Sequence, residues 1–341
     1  MAGEAAAAGP RSSPEPLASV YDVALLDLDG VVYLGPSAIA GAPESLAKAA
    51  AAGMRIAYVT NNAARTPSAI AAQLAGLGVT ARAGDIVTSA QAGARLLAER
   101  LPPGAAVLVV GGTGLRAAVR ERGLRPVSVA SEAPAAVIEG YAPDISYSLL
   151  AEGALAVQAG ALFVASNADK TLPTPRGRQP GNGALTRVIA TATGQEPLVA
   201  GKPEPPLHAE AVARTGARRP LVVGDRLDTD IEGAARAGAD SLLVLTGVAR
   251  PPDAVLAPPH QRPSYLARDL SGLLAPHPAV DHADGGYRCG GWHARWQAPA
   301  RLVLDGDGDP MDALRALCAA AWSAGQVPAE AVTRALARLG W

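Results

Sequence analysis

The chain lacks most of what would commit it to a specialised class. Its 341 residues contain only two cysteines, Cys289 and Cys318. That is no disulfide framework, and it suits a reducing, cytoplasmic compartment. Phe163 is the one phenylalanine, so a core must come mostly from Ala, Val, Leu and Ile. Net charge is −1 and there is no block of basic residues, which argues against a nucleic-acid surface. No apolar run approaches the ~18–20 residues of a membrane span. Lysine is scarce too: Lys48, Lys170 and Lys202 are the only three among 30 Lys+Arg. A lysine in a loop with polar neighbours therefore stands out. The first ~15 residues are rich in Ala, Gly, Pro and Ser, which reads as a disordered leader rather than a signal peptide.

What is present in quantity is apolar: 49% of residues are hydrophobic, enough for two or three domains with a sizeable core. Short apolar runs alternate with Ala-rich helical stretches, the pattern of an α/β fold with a parallel sheet. One stretch organises the rest. The run Val23-Ala24-Leu25-Leu26 ends at Asp27, followed by Asp29 and Gly30. Residues two apart in a strand point the same way, so two carboxylates are expected to converge at a strand's carboxyl end. At an effective dielectric near 20, two unit charges about 4 Å apart repel by roughly 4 kcal/mol. A divalent cation is the natural remedy, although Asp and Gly also form ordinary turns.

Further strands are expected at 55–59, 107–110, 136–139, 162–165, 197–200, 220–223 and 241–245, with helices at 43–52, 67–77, 115–122, 147–159, 184–193, 207–215 and 231–237. The pattern restarts near Thr88 and returns after a Pro/Gly/Arg-rich hinge at 173–183. The expected division is a leader at 1–18, a Rossmann-like parallel-sheet core at 19–87 and 182–255, an inserted α/β cap at 88–181, a linker at 256–285 and a small α+β C-terminal module at 286–341. The module reads as two strands, around 292–296 and 301–304, and two helices. Asp309 is its expected N-cap, with Pro310 at the first helical position.

Polar clusters close four of the strands: Asp27 with Asp29, Thr60-Asn61-Asn62, Lys202, and Asp225 with Asp230. Open parallel sheets bind ligands beyond the carboxyl ends of their strands. Carboxylates, a hydroxyl–amide pair and a lone ammonium suit a phosphate ester and a hard divalent cation such as Mg²⁺.

The motifs DLDG (Asp27, Asp29), TNN (Thr60), GKP (Lys202) and GDRLDTDI (Asp225, Asp230) stand in the order found in the haloacid dehalogenase superfamily, which the chain resembles over residues 20–250. The insertion and the segment PGNGAL (Pro180 to Leu185) resemble the subgroup of 4-nitrophenyl phosphatase and phosphoglycolate phosphatase. The resemblance implies a Mg²⁺-dependent phosphatase. Asp27 would form an aspartyl-phosphate, and Asp29 would be the general acid and base. Thr60, Asn61, Asn62 and Lys202 would contact the phosphoryl group. Asp27, Asp225 and the Asp29 position, through its backbone carbonyl, would hold the metal. Asp230 would orient the metal shell or Lys202, or serve as a helix N-terminal charge. By the same resemblance, an Asp at position 29 would favour phosphatases and mutases over dehalogenases.

The tail resembles the reduced, GNAT-like module of glycerol 3-phosphate phosphatases of high-GC bacteria. It lacks a Gly-rich pyrophosphate loop, so no acetyl transfer is expected. The implied substrate is a small phosphorylated metabolite, glycerol 3-phosphate first and phosphoglycolate second. The cap would choose it, with loop residues around 141–144 and 176–178 as candidates. All four tryptophans, Trp292, Trp296, Trp322 and Trp341, fall in the tail, as a core or as a contact in a homo-oligomer formed through cap or module. Asp305 to Asp309 imitates a calcium loop, but Pro310 and Ala316 occupy positions that need Gly and Glu. His277, His282, Cys289 and His293 match no usual zinc spacing. Gly111 to Gly114 reads as a tight turn, since no Lys-Ser/Thr follows.

Overall fold

The computed structural model describes residues 9–174, 176–297 and 299–341. They form two compact units. One holds the described residues up to Ile56, Leu77–Val79 and Ala217–Trp341; the other holds Ala57–Gly76 and Thr80–Gly216. The chain first passes between them inside the strand Arg55–Thr60.

The first unit is built on parallel strands in the order Tyr265–Ala267, Asp240–Val244, Pro220–Gly224, Val23–Leu26. All four residues of Val23–Leu26 are buried, as an apolar run covered on both faces requires. Val23 pairs with Pro220 and Leu26 with Val223, and Asp27 N–H extends the ladder to Val223 O at 2.9 Å. Asp27 and Asp225 thus leave neighbouring strands at the same end.

The C-terminal part is an antiparallel sheet, Asp281–Ala283, Gly286–Cys289, Trp292–Gln297 and Arg301–Gly306 in sequential order. The helices Pro310–Ala324 and Ala329–Ala337 follow it. Asp309 caps the first of them, accepting from Met311 N–H at 2.9 Å. Leu314, Leu317 and Trp322 of that helix lie in one buried cluster with Leu243 and Leu266 from the parallel strands. Truncating a leucine at such a position costs about 2–5 kcal/mol.

Several expectations need correction here. The 256–285 segment is no bare linker, because Tyr265–Ala267 is an edge strand of the parallel sheet. Two further strands, Asp281–Ala283 at the end of that segment and Gly286–Cys289 at the start of the tail, precede the two expected ones; their Gly, His and Arg content hides the period-two pattern. Residues 1–8 of the expected leader lie outside the described residues. Beyond them Ser13 bridges to His277, and Leu17 is fully buried in the short helix Leu17–Val20.

In the second unit, five parallel strands run in the order Leu198–Val199, Leu162–Ala165, Ala136–Glu139, Ala106–Val110, Arg125–Val127. Val107, Val109, Ile138 and Val164 pack on one face, with Leu108, Val110, Val137 and Phe163 on the other. The rest of Arg55–Thr60 pairs in parallel with Ile86–Thr88. Thr88 then caps Ser89–Ala98 in a capping box with Gln91. The expected hinge at 173–183 contains an antiparallel hairpin, Thr171–Thr174 with Gly177–Pro180. This compact unit extends to Gly216, and within it Leu198–Val199 ladders onto Val164 and Ala165. The architecture is α/β with an α+β C-terminal module. Among the described residues, no helix is long and apolar enough to cross a membrane.

Candidate active site

In the first unit, Asp27, Asp225 and Asp230 each offer a carboxylate oxygen, and these oxygens lie within 4.8 Å of one another. Asp225 and Asp230 are each 1% exposed. Asp225 follows the buried strand Pro220–Gly224, and Asp230 sits in a π-helical turn, Leu227–Ile231, a form frequent at functional sites. Val248 N–H donates to Asp225 Oδ2 at 2.7 Å, and Arg226 N–H to Asp230 Oδ2 at 3.1 Å.

Two glycines make room for the Asp225 carboxylate. A Cβ at Gly247 or at Gly30 would overlap it, and Gly30 is also left-handed, at φ +82°. Thr246 Oγ1 donates to Gly30 O at 2.5 Å, which ties the turn after Asp29 to the same segment. Three carboxylate pairs at about 4 kcal/mol each sum to roughly 12 kcal/mol of repulsion. The all-oxygen donor set fits a hard divalent cation.

Asp29 corrects the strand-alternation argument. Val23–Leu26 has ended before it, so the two-residue period no longer applies. The Asp29 side chain is exposed, and Tyr33 OH donates to its Oδ2 at 3.3 Å. The third carboxylate beside Asp27 and Asp225 is that of Asp230.

The second unit gathers the other predicted residues. Thr60 and Lys202 are buried, at 5% and 4% exposure. Asn61 Nδ2 donates to Lys202 O at 3.1 Å, and Lys202 N–H returns to Asn61 Oδ1 at 2.8 Å. Lys202 Nζ donates to Val59 O at 3.1 Å. Thr60 Oγ1 accepts from Asn62 N–H at 3.1 Å, and Asn62 Oδ1 from Ala64 N–H at 3.0 Å. A Cβ at Gly201 would press on Asn61 Oδ1, so the GKP turn needs glycine there.

Sequence reasoning missed two residues of this network. Asp169 Oδ2 accepts from Asn61 Nδ2 at 3.1 Å, and Asn167 Nδ2 donates to Asn61 O at 2.8 Å. The signal that picked out Thr60-Asn61-Asn62 would have found them. Ser166-Asn167-Ala168-Asp169 is another polar cluster at a strand end, after Leu162–Ala165. The loop candidates are only partly placed: Asp144, Arg176 and Arg178 are exposed, and residue 175 lies outside the described residues. His277 and His293 each bond a backbone carbonyl, Gly272 O at 2.8 Å and Ala283 O at 3.1 Å. Cys289 is buried.

Comparison with known proteins fits this geometry. A haloacid dehalogenase-like hydrolase model matches residues 24–125, a HAD-hydrolase-like model 199–273, and a GCN5-related N-acetyltransferase like domain 289–341. The chain is 45% identical over 323 residues to a D-glycerol 3-phosphate phosphatase of Mycobacterium tuberculosis, covering 90% of this chain and 88% of that protein. An acid sugar phosphatase of Staphylococcus aureus is 37% identical over 257 residues, 75% of this chain and 97% of its own. The crystal structure of a glycerol phosphate phosphatase from M. tuberculosis in complex with magnesium has a TM-score of 0.86 at 44% identity, covering 95% of this chain and 98% of that one. With the strand-end carboxylates and the motif order, these matches establish that the chain belongs to the haloacid dehalogenase-like hydrolase family.

Proposed function

We propose that this phosphatase hydrolyses glycerol 3-phosphate at the Asp27–Asp225–Asp230 group, with Asp27 as nucleophile. The observation that carries the reading is the convergence of those three carboxylates at the carboxyl ends of parallel strands. Asp27, Asp225 and the backbone carbonyl of Asp29 would hold magnesium, with Asp230 keeping the Asp225 turn in place through Arg226 N–H. When bound, the cation neutralises the carboxylates and polarises the phosphoryl oxygens.

Asp27 attacks phosphorus, so a bond forms from its carboxylate oxygen as the ester P–O bond breaks. Asp29 gives its proton to the departing glycerol alkoxide. It then takes a proton from the water that hydrolyses the aspartyl-phosphate and releases inorganic phosphate. Tyr33 OH, at 3.3 Å, steadies the Asp29 carboxyl. To Thr60, Asn61, Asn62 and Lys202 we assign the phosphoryl contacts. Their mutual hydrogen bonds support a donor set ordered in advance.

The substrate rests on the activity that the mycobacterial relative's name gives it. The acid sugar phosphatase keeps small sugar phosphates as the second reading. We assign 88–181 as the cap that selects between them. Exposed Leu155 and Val188 in the second unit, with Trp341 in the tail, support self-association, and two free cysteines support a cytoplasmic location.

Phosphate release across glycerol 3-phosphate, phosphoglycolate and hexose phosphates tests the proposal. The expected result is a kcat/KM at least about tenfold higher for glycerol 3-phosphate, about 1.4 kcal/mol of discrimination, with one phosphate freed per ester consumed. A higher value for a sugar phosphate would select the second reading. Phosphoryl product in place of free phosphate would mark a transferase.

A further inference from the structure

We infer that the C-terminal domain holds the loops that carry Asp225 and Asp230, and thereby sets the affinity of that site for its divalent cation. This rests on the metal site proposed above.

Asp225 is held from the segment that follows the strand Asp240–Val244. Val248 N–H meets its Oδ2 at 2.7 Å, Ala249 N–H meets its backbone O at 2.9 Å, and Gly247 lies close enough to exclude a Cβ. That segment runs directly into the helix Pro251–Val255. Ala249, Ala254 and Val255 are buried in the same cluster as Leu314 and Trp322 of Pro310–Ala324. Trp322 Nε1 donates to Ala254 O at 3.1 Å, out of solvent. The Arg262 guanidinium lies 5.3 Å from the Trp322 ring centroid and donates to Trp322 O at 3.3 Å.

The Asp230 turn reaches the same cluster. Ile231, its next neighbour, is fully buried there, and Leu227 at the start of the turn packs against it. Arg315 Nη2 ties the same C-terminal helix to the edge strand of the parallel sheet, at Leu266 O, 2.7 Å.

A carboxylate site binds a small cation well only when its oxygens are held at fixed spacing. Both acidic positions stand within a few residues of side chains locked against the C-terminal helix. Trp322 and Arg262 are therefore positioning residues, acting through the 246–255 segment without touching ligand.

The experiment measures Mg²⁺ binding by calorimetry on the full-length protein without substrate, and separately kcat and KM at saturating Mg²⁺. Trp322→Phe keeps an aromatic ring but removes the N–H donor and part of the indole's bulk; Arg262→Met removes the cation from the ring. Each is expected to raise the Mg²⁺ Kd threefold or more while leaving KM within about twofold. Phe163→Leu, in the second unit, is the control: it lowers thermal stability and leaves the Mg²⁺ Kd unchanged.

Unchanged Mg²⁺ affinity in both Trp322→Phe and Arg262→Met, with lowered thermal stability, overturns the inference and leaves the metal site standing. An equal loss of affinity in Phe163→Leu also overturns it. Asp225→Asn should abolish Mg²⁺ binding. If it binds as wild type, the metal-site reading fails and takes this inference with it.

Discussion

The two units bury carboxylates in different ways. In the first, Asp225 and Asp230 share a small volume with Asp27. In the second, Glu139 is completely buried at the end of its strand, where Asn182 Nδ2 and Thr186 Oγ1 donate to its Oε2 at 2.9 and 2.5 Å. Burial pushes its pKa up to about 8, against the lowering effect of those two bonds. Glu210, also in the second unit, is 1% exposed and is met by Arg95, Arg122 and Arg214. A lone buried carboxyl is relieved by a proton or by arginines, whereas three converging ones make a place for a divalent cation. Number and convergence separate a ligand site from a structural acid.

The largest expected effect that tests this contrast is at Asp27. Asp27→Asn should lower phosphate release by at least about 10³-fold, as loss of a nucleophile does. The thermal transition should stay cooperative. Near-normal turnover in that variant removes the mechanism.

Next comes the cation. Adding Mg²⁺ should raise the thermal midpoint of the wild type, by linkage of about 2.7 kcal/mol at a hundredfold excess over Kd. Chelation should reverse the rise and stop turnover, and Asp225→Asn should show no rise. A midpoint indifferent to Mg²⁺ would place the first unit's acids in the same structural class as Glu139.

A smaller effect is expected at Asp169, which holds the Asn61 amide. Asp169→Ala should raise KM roughly fivefold, the equivalent of about 1 kcal/mol for one hydrogen bond. Asp169→Asn should recover part of the loss. Steady-state kinetics on the three proteins decide it.

The mildest effect is on stability at Glu139. Its folded pKa of about 8 lies above the ordinary 4.5, so the native state holds the proton more tightly than the unfolded chain. The associated stability is full below about pH 4.5 and is lost as pH rises through about 8. Glu139→Gln should flatten that dependence, gaining on the wild type steadily from pH 5 to 8. Thermal midpoints across this range read it directly. Parallel curves would mean that Glu139 is ionised in the fold.

Much of the first unit was legible in advance because its signals are local. Val23 to Leu26 is apolar throughout, and only a strand covered on both faces wants that. The acid that follows it is legible for the same reason. Asp309 with Pro310 announced a helix start, and the structure has it. Tyr265–Ala267 was not legible, because three residues carry no measurable period and their strand exists only by pairing with Leu242 to Val244. Trp292 and Trp322 were balanced between core and contact surface, and burial resolves both as core. The pairing of Leu198–Val199 was hidden too, since that two-residue strand exists only by its ladder to Val164 and Ala165.

By itself the sequence determined the alternation of strand and helix, the end of each strand at which polar side chains collect, and the family to which the motif order belongs. Those follow from burial of apolar runs and from short-range spacing. Only the tertiary structure decided that Asp230 and not the Asp29 side chain joins Asp27 and Asp225, and that the C-terminal domain shares a core with the parallel strands beside it. Both depend on contacts between residues tens to hundreds of positions apart, whose energies no local pattern encodes.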